Sequence, residues 1–313
     1  MPSFQTPWWL PGAHLQTIVG HVLKGGSVPS RRERWDTPDG DFLDIDFLDE
    51  GIDDRAPTVL LIHGLGGNSD SRYIRQAAVE LRVRGLAPVA MNCRGALGPN
   101  QTARLHHAGE WEDPAFVCRR LRERGPLGVI GFSLGASMTL NLLAREPAAE
   151  AAAVVSAPLD LAAGCTVLEQ GFSRVYTGYL LNKLTALVAE RDDLAAAGFD
   201  VAGARAARTI RQFDEALVAP LHGFADAADY YARSSAGPQL ASIRTPTLVL
   251  RAVDDPFLAR SDLSFLRDSR NPCVDARIVE GGGHVGFVDG SLWAPGSWAE
   301  RTAASWLQEQ LGT

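Results

Sequence analysis

The chain has 313 residues, 46% of them hydrophobic and 21% charged, the proportions of a globular protein with a sizeable core. Its net charge of −7 comes from scattered acids and bases, which argues against nucleic acid or an anionic membrane surface as a partner. Four widely separated cysteines (Cys93, Cys118, Cys165, Cys273) form no C-x-x-C pair and read as buried, reduced thiols.

The first residues, "MPSFQTPWWLPGAHLQTIVGHVLKGG", are apolar, but prolines, His14 and Gln16 interrupt them and the first cation is Lys24. They lack both a basic leader and the run of about 20 apolar residues that a membrane helix needs. An ordered arm over about 1–30 is expected, with Trp8 and Trp9 packed on the domain, no integral membrane segment and a cytoplasmic location. The oligomeric state is left open.

"DFLDIDFLD" (41–49) alternates apolar and acidic residues, the pattern of a strand with one wet face. "APTVLLIHG" (56–64) is continuously apolar, as in a strand covered on both faces. A helix is predicted over 71–84, ending at Gly85. Buried-strand runs recur at 86–92, 126–132, 151–157 and 246–252, with helical patterns around 111–124 and 134–146. This rhythm predicts a mostly parallel sheet with helices on both faces. From about 160 to 240 only helical sequence is evident, so a helical cap inserted into one α/β domain spanning 1–313 is expected. It would sit over the sheet's C-terminal edge, where such folds bind ligands. A last strand, "VDARIVE", and a last helix (297–312) complete the chain.

"GFSLG" (131–135) matches G-x-S-x-G between an apolar strand and a helical stretch. A serine on that sharp turn takes strained backbone angles, and the flanking glycines let neighbouring chain approach. Ser133 is therefore the candidate nucleophile. A serine hydroxyl needs a base, and the base an orienting acid. Among seven histidines, His284 in the glycine-loosened loop "EGGGHVGF" follows the serine in the order nucleophile, acid, base found in α/β-hydrolases. The acid is then one of two adjacent aspartates, Asp254 or Asp255, in "RAVDDPF" (251–257). "HGLGG" (63–67) follows the first buried strand, where this architecture supplies an oxyanion donor. The expected donors are the main-chain N–H groups of Leu65 and Leu134, with His63 shaping the loop. "HHAGEWED" (106–113) lacks the H-E-x-x-H spacing, so no metal site is expected.

With these motifs in place the chain resembles the YheT/EMB8-like branch of the α/β-hydrolases over almost its whole length. "PWWLPGAHLQTI" (7–18), "NCRG" (92–95), "HHAGE" (106–110), "FDEALVAPLHGFADAADYYARSS" (213–235), "RAVDDPF" and "GGHVGF" carry the likeness. The resemblance implies a serine carboxylester hydrolase with a Ser-Asp-His triad and no cofactor, acting on a small-molecule ester. Substrates in the branch range from short-chain esters to acylglycerols and phospholipids; a thioesterase or acyltransferase would use the same triad, and a non-catalytic receptor on this scaffold is the remaining alternative. Hydrolases of this fold often place the acid three residues after a small one and before proline. Counting from Ala252 assigns it to Asp255, with Asp254 as a turn carboxylate and the alternative acid.

Overall fold

The computed structural model describes residues 3–23 and 25–312. Helix α1 (Ala13–Val22) lies in the N-terminal arm, and strands β1 (Arg31–Asp36), β2 (Phe42–Phe47) and β3 (Thr58–Ile62) follow. Helix α2 (Arg72–Val83) leads to β4 (Ala87–Asn92), α3 (Glu112–Leu121) to β5 (Leu127–Phe132), and α4 (Leu134–Leu143) to β6 (Ala151–Val155). Next come only helices: α5 (Leu161–Leu168), α6 (Ser173–Leu187), α7 (Asp192–Ala196), α8 (Val201–Ala206), α9 (Ile210–Phe213), a π-helical turn (Asp214–Val218), α10 (Ala219–Leu221) and α11 (Ala227–Ser234). The chain then rejoins the sheet with β7 (Thr247–Ala252), α12 (Leu263–Arg267) and β8 (Val274–Val279), and ends in a hairpin, β9 (Val288–Ser291) and β10 (Ala294–Ser297), and α13 (Trp298–Leu311).

The main sheet runs β1-β2-β4-β3-β5-β6-β7-β8, parallel from β4 to β8 and antiparallel at β1–β2 and β2–β4. Alternation along the central strands explains its two cores. Leu60 and Ile62 face the layer of α3 and α4 with Val117, Met138 and Leu142. Val59 and Leu61 face the layer of α2 and α13 with Ile74, Ala303 and Leu307. A third apolar cluster fills the helical segment, built on Leu180, Leu184, Phe213 and Tyr231. The α/β-hydrolase architecture and the all-helical insertion are thus present as read.

Two expectations need correction, and one strand has no signal in the sequence. Trp8 is 87% exposed; of the two tryptophans it is Trp9 that meets the domain, its Nε1 donating to the Gly290 carbonyl at 3.0 Å. The acidic face of β2 is not wet: Asp44 and Asp46 are buried. Arg34 and Arg32 of β1 bind them in bidentate pairs at 2.7–2.9 Å. β1 itself, "RRERWD", has no apolar alternation to reveal it, because a charged edge strand trades that signal for protection against edge pairing.

Candidate active site

The ends of β3, β5, β7 and β8 bring the sequence-selected residues to one edge of the sheet. After β5 the chain turns sharply at Ser133, whose backbone sits at φ 52°, ψ −118°. This left-handed angle is costly for a side-chain-bearing residue. It is held by the Ser133 N–H bond to Val155 O (2.9 Å) and by the start of α4. The glycines either side are needed for space: a Cβ on Gly131 would come within 2.5 Å of Gly135 O, and one on Gly135 within 2.5 Å of His63 O.

Ser133 Oγ lies 2.8 Å from His284 Nε2. His284 Nδ1 lies 2.9 and 3.1 Å from the two carboxylate oxygens of Asp255. With the proton on Nδ1, the imidazole donates to Asp255 and accepts from the serine hydroxyl. Asp255 is buried; it also accepts from the Phe257 N–H (2.9 Å) and lies 3.3 Å from the Arg251 guanidinium. Asp254 points elsewhere. Its carboxylate accepts from Gly283 N–H at 3.0 Å, pinning the histidine loop, and burial raises its pKa. Geometry therefore joins Asp255, not Asp254, to His284.

The loop "HGLGG" lies against the nucleophile: a Cβ on Gly64 would sit 2.9 Å from Ser133 Cβ. Gly67 N–H bonds Gly64 O at 3.0 Å, closing a turn in which Gly66 takes φ 65°. The N–H of Leu65 and that of Leu134 at the start of α4 have no hydrogen-bond partner among the described residues, so both are free to donate. His63 holds the loop. Its Nε2 accepts from Cys93 N–H (3.0 Å) and its Nδ1–H donates to Gly64 O (2.8 Å). Full burial, with His106 nearby, lowers its pKa to about 3, so it is a neutral strut at ordinary pH. His106 likewise donates from Nδ1 to Arg94 O at 2.7 Å, while His107 packs on His222 with ring centroids 4.3 Å apart.

Several further residues support the site without a motif in the sequence to mark their role. The arm builds the back of the histidine loop: Thr17 Oγ1 accepts from His284 N–H at 2.9 Å while donating to Ala13 O. Gln16 bonds both Val288 N–H (2.8 Å) and Val288 O (3.0 Å). The H-L-Q-T segment reads as an arm, and nothing in its spacing says what it braces. Phe257 stacks flat on the His284 ring, with centroids 4.0 Å apart and planes 2° apart. Arg251 is buried and also donates to Ala252 O and Ala259 O. A lone cation at the end of an apolar strand was the available signal for it.

Ser133 and His284 open into a cavity of about 580 Å³ between the sheet edge and the helical segment. Its walls are largely apolar, including Leu161, Leu168, Leu180, Leu184 and Ile210. Among the described residues no helix is long and apolar enough to cross a membrane.

Comparison with known proteins agrees with this architecture. The sequence profile of the alpha/beta hydrolase family matches residues 59–295. The chain is 38% identical to the inferred esterase YheT of Escherichia coli (strain K12), over 95% of this chain and 91% of YheT. It is 26% identical to human phospholipase ABHD3, over 98% of this chain and 79% of that protein. Among solved structures, the Pyrococcus furiosus esterase Pf2001 superposes with a TM-score of 0.58 at 16% identity, covering 91% of this chain and 92% of the other. The chain belongs to the α/β-hydrolase family, in its YheT/EMB8-like branch.

Proposed function

We propose that the protein is a serine carboxylester hydrolase acting by two-step acyl transfer on short- to medium-chain esters. The observation that carries this reading is the unbroken relay from Ser133 Oγ through His284 to Asp255, with hydrogen bonds of 2.8 and 2.9 Å in the lining of a largely apolar cavity. Ser133 Oγ attacks the ester carbonyl as its proton passes to His284 Nε2. The negative charge on the carbonyl oxygen is met by the N–H groups of Leu65 and Leu134; one such donor typically supplies about 2.7–4 kcal/mol of transition-state stabilisation. Collapse breaks the bond to the alcohol oxygen, which takes the proton from Nε2, leaving an acyl-serine. Water then gives its proton to Nε2 and attacks the acyl carbon; the acid departs and Ser133 recovers its proton. Asp255 holds the imidazole tautomer and balances the imidazolium.

The reaction draws on the chain's own groups and calls for no cofactor. The test is hydrolysis of a chain-length series of p-nitrophenyl esters, with fluorophosphonate labelling. Ser133→Ala should abolish both, lowering kcat by about 10⁶-fold by analogy with removal of a serine nucleophile. Undiminished hydrolysis by the purified variant would refute the reading.

A second reading, a lipase or phospholipase, is favoured by one feature. Val22 and Val175 line the cavity yet are 68% and 59% exposed, giving its entrance an apolar edge. Activity peaking on long-chain acylglycerols or phospholipids would favour it. Comparing acyl-CoA with oxygen-ester turnover separates either reading from a thioesterase.

A further inference from the structure

The wall of the cavity opposite the sheet is largely apolar, with Lys183 and tyrosines of the insertion among its polar groups and one buried carboxyl, Asp214. Asp214 opens the π-helical turn of the insertion, a local widening that recurs at functional sites. It lines the cavity and is only 7% exposed. Tyr231 Oη donates to its Oδ2 at 2.7 Å, and Cys165 Sγ donates to Tyr231 Oη at 3.3 Å; both residues also line the cavity. The other oxygen, Oδ1, has no hydrogen-bond partner among the described residues. Burial pushes the Asp214 carboxyl up to about 7, against the weaker pull of Tyr231 and Arg211. Oδ1 is open to the cavity that Asp214 lines, where a bound group can reach it. The acyl-transfer steps at Ser133 make no use of it.

We propose that Asp214, held by Tyr231, forms a polar subsite for an uncharged hydroxyl group on the substrate, remote from the scissile ester. The charges around it select this chemistry. An anionic group would face the Asp214 carboxyl, and a cationic one would share a largely apolar cavity with Lys183. A hydroxyl both donates and accepts, so it satisfies Oδ1 whether the carboxyl is ionised or protonated. The preferred substrates are therefore esters with a hydroxylated chain rather than a plain hydrocarbon one. This inference rests on the ester-hydrolase reading above.

The experiment compares kcat/KM for p-nitrophenyl esters of ω-hydroxyalkanoic acids and of plain alkanoic acids, over a homologous series of short to medium length. Using the ratio for each length cancels any loss of folded protein. The hydroxyl loses hydration in an apolar cavity, so the ratio should fall below one at most lengths. It should rise to roughly tenfold in favour of the hydroxyl at the length that reaches Asp214, the scale of one net hydrogen bond. Asp214→Leu should remove the peak, and Asp214→Asn, whose amide still bonds a hydroxyl, should keep part of it. No peak at any length, or an equal peak in Asp214→Leu, would overturn the subsite. Calorimetric binding of the same free acids to Ser133→Ala separates the two readings. If no ester is turned over but the hydroxylated acid still binds more tightly than the plain one, the ester-hydrolase reading fails and the subsite stands. If esters are turned over with no hydroxyl preference, the subsite alone fails.

Discussion

Adjacent aspartates of the same chemistry have different surroundings, and one backbone step separates them. Asp255 is turned inward by Pro256 and by the hydrogen bond from Phe257 N–H, which aim its carboxylate at His284 Nδ1. Asp254 faces the other way and ties Gly283. The expected outcome is therefore unequal. Asp255→Asn should lower kcat by about 10⁴-fold, because an amide at that site favours the wrong imidazole tautomer. Asp254→Asn should cost about tenfold or less, the scale of one weakened hydrogen bond. Steady-state kinetics on one ester decides it, and the reverse order would exchange their roles. The strand rhythm and the proline made this pair visible in the sequence. The choice between them came from a family pattern, because alternation alone does not fix which of two neighbours faces a histidine 29 residues away.

In the helical insertion, α9 runs into the π turn at Asp214 and meets α11 at Tyr231, so the packing of this element depends on a buried carboxyl. Its folded pKa, about 7, lies above the ordinary 3.8, so folding favours the neutral form. That stabilisation is complete below about pH 4 and is lost as pH rises through 7. Asp214→Asn cannot ionise and keeps an oxygen to accept from Tyr231. Its Tm relative to the parent should therefore rise between pH 5 and pH 8, read by thermal melts at both values; a constant difference would rule out the titration. The helical nature of the insertion was plain from its alanine- and leucine-rich sequence. Its buried Asp-Tyr-Cys chain was not, since the three residues come from three separate elements.

Across the whole molecule, an arm from the first residues braces a loop near the last helix. Thr17 is 267 residues from His284 in sequence and 2.9 Å from it in space. Close approach of backbone makes the contact possible: Gly20 packs on Gly286, where a Cβ would come to 2.7 Å of the Gly286 Cα, and Gly283 takes φ 60° beside Thr17. Thr17→Val keeps the shape but removes the acceptor for the His284 N–H. We expect kcat to fall by about fivefold to tenfold, the scale of one buried hydrogen bond, with KM for a small ester little changed. Unaltered kcat would show that the histidine loop holds itself.

What the sequence determined by itself follows from short-range rules. Apolar runs of strand length, helical periodicity and a glycine-flanked serine at a strand-to-helix junction suffice for the sheet, the insertion and the nucleophile. Charge pairing across strands, which hides β1 and buries Asp44 and Asp46, is invisible to such rules because each partner alone reads as a solvated residue. The same holds for Phe257 stacked on His284, Arg251 behind Asp255 and Thr17 beneath the histidine loop. Each acquires its role only where tertiary packing removes water and leaves a polar or flat surface one partner to meet.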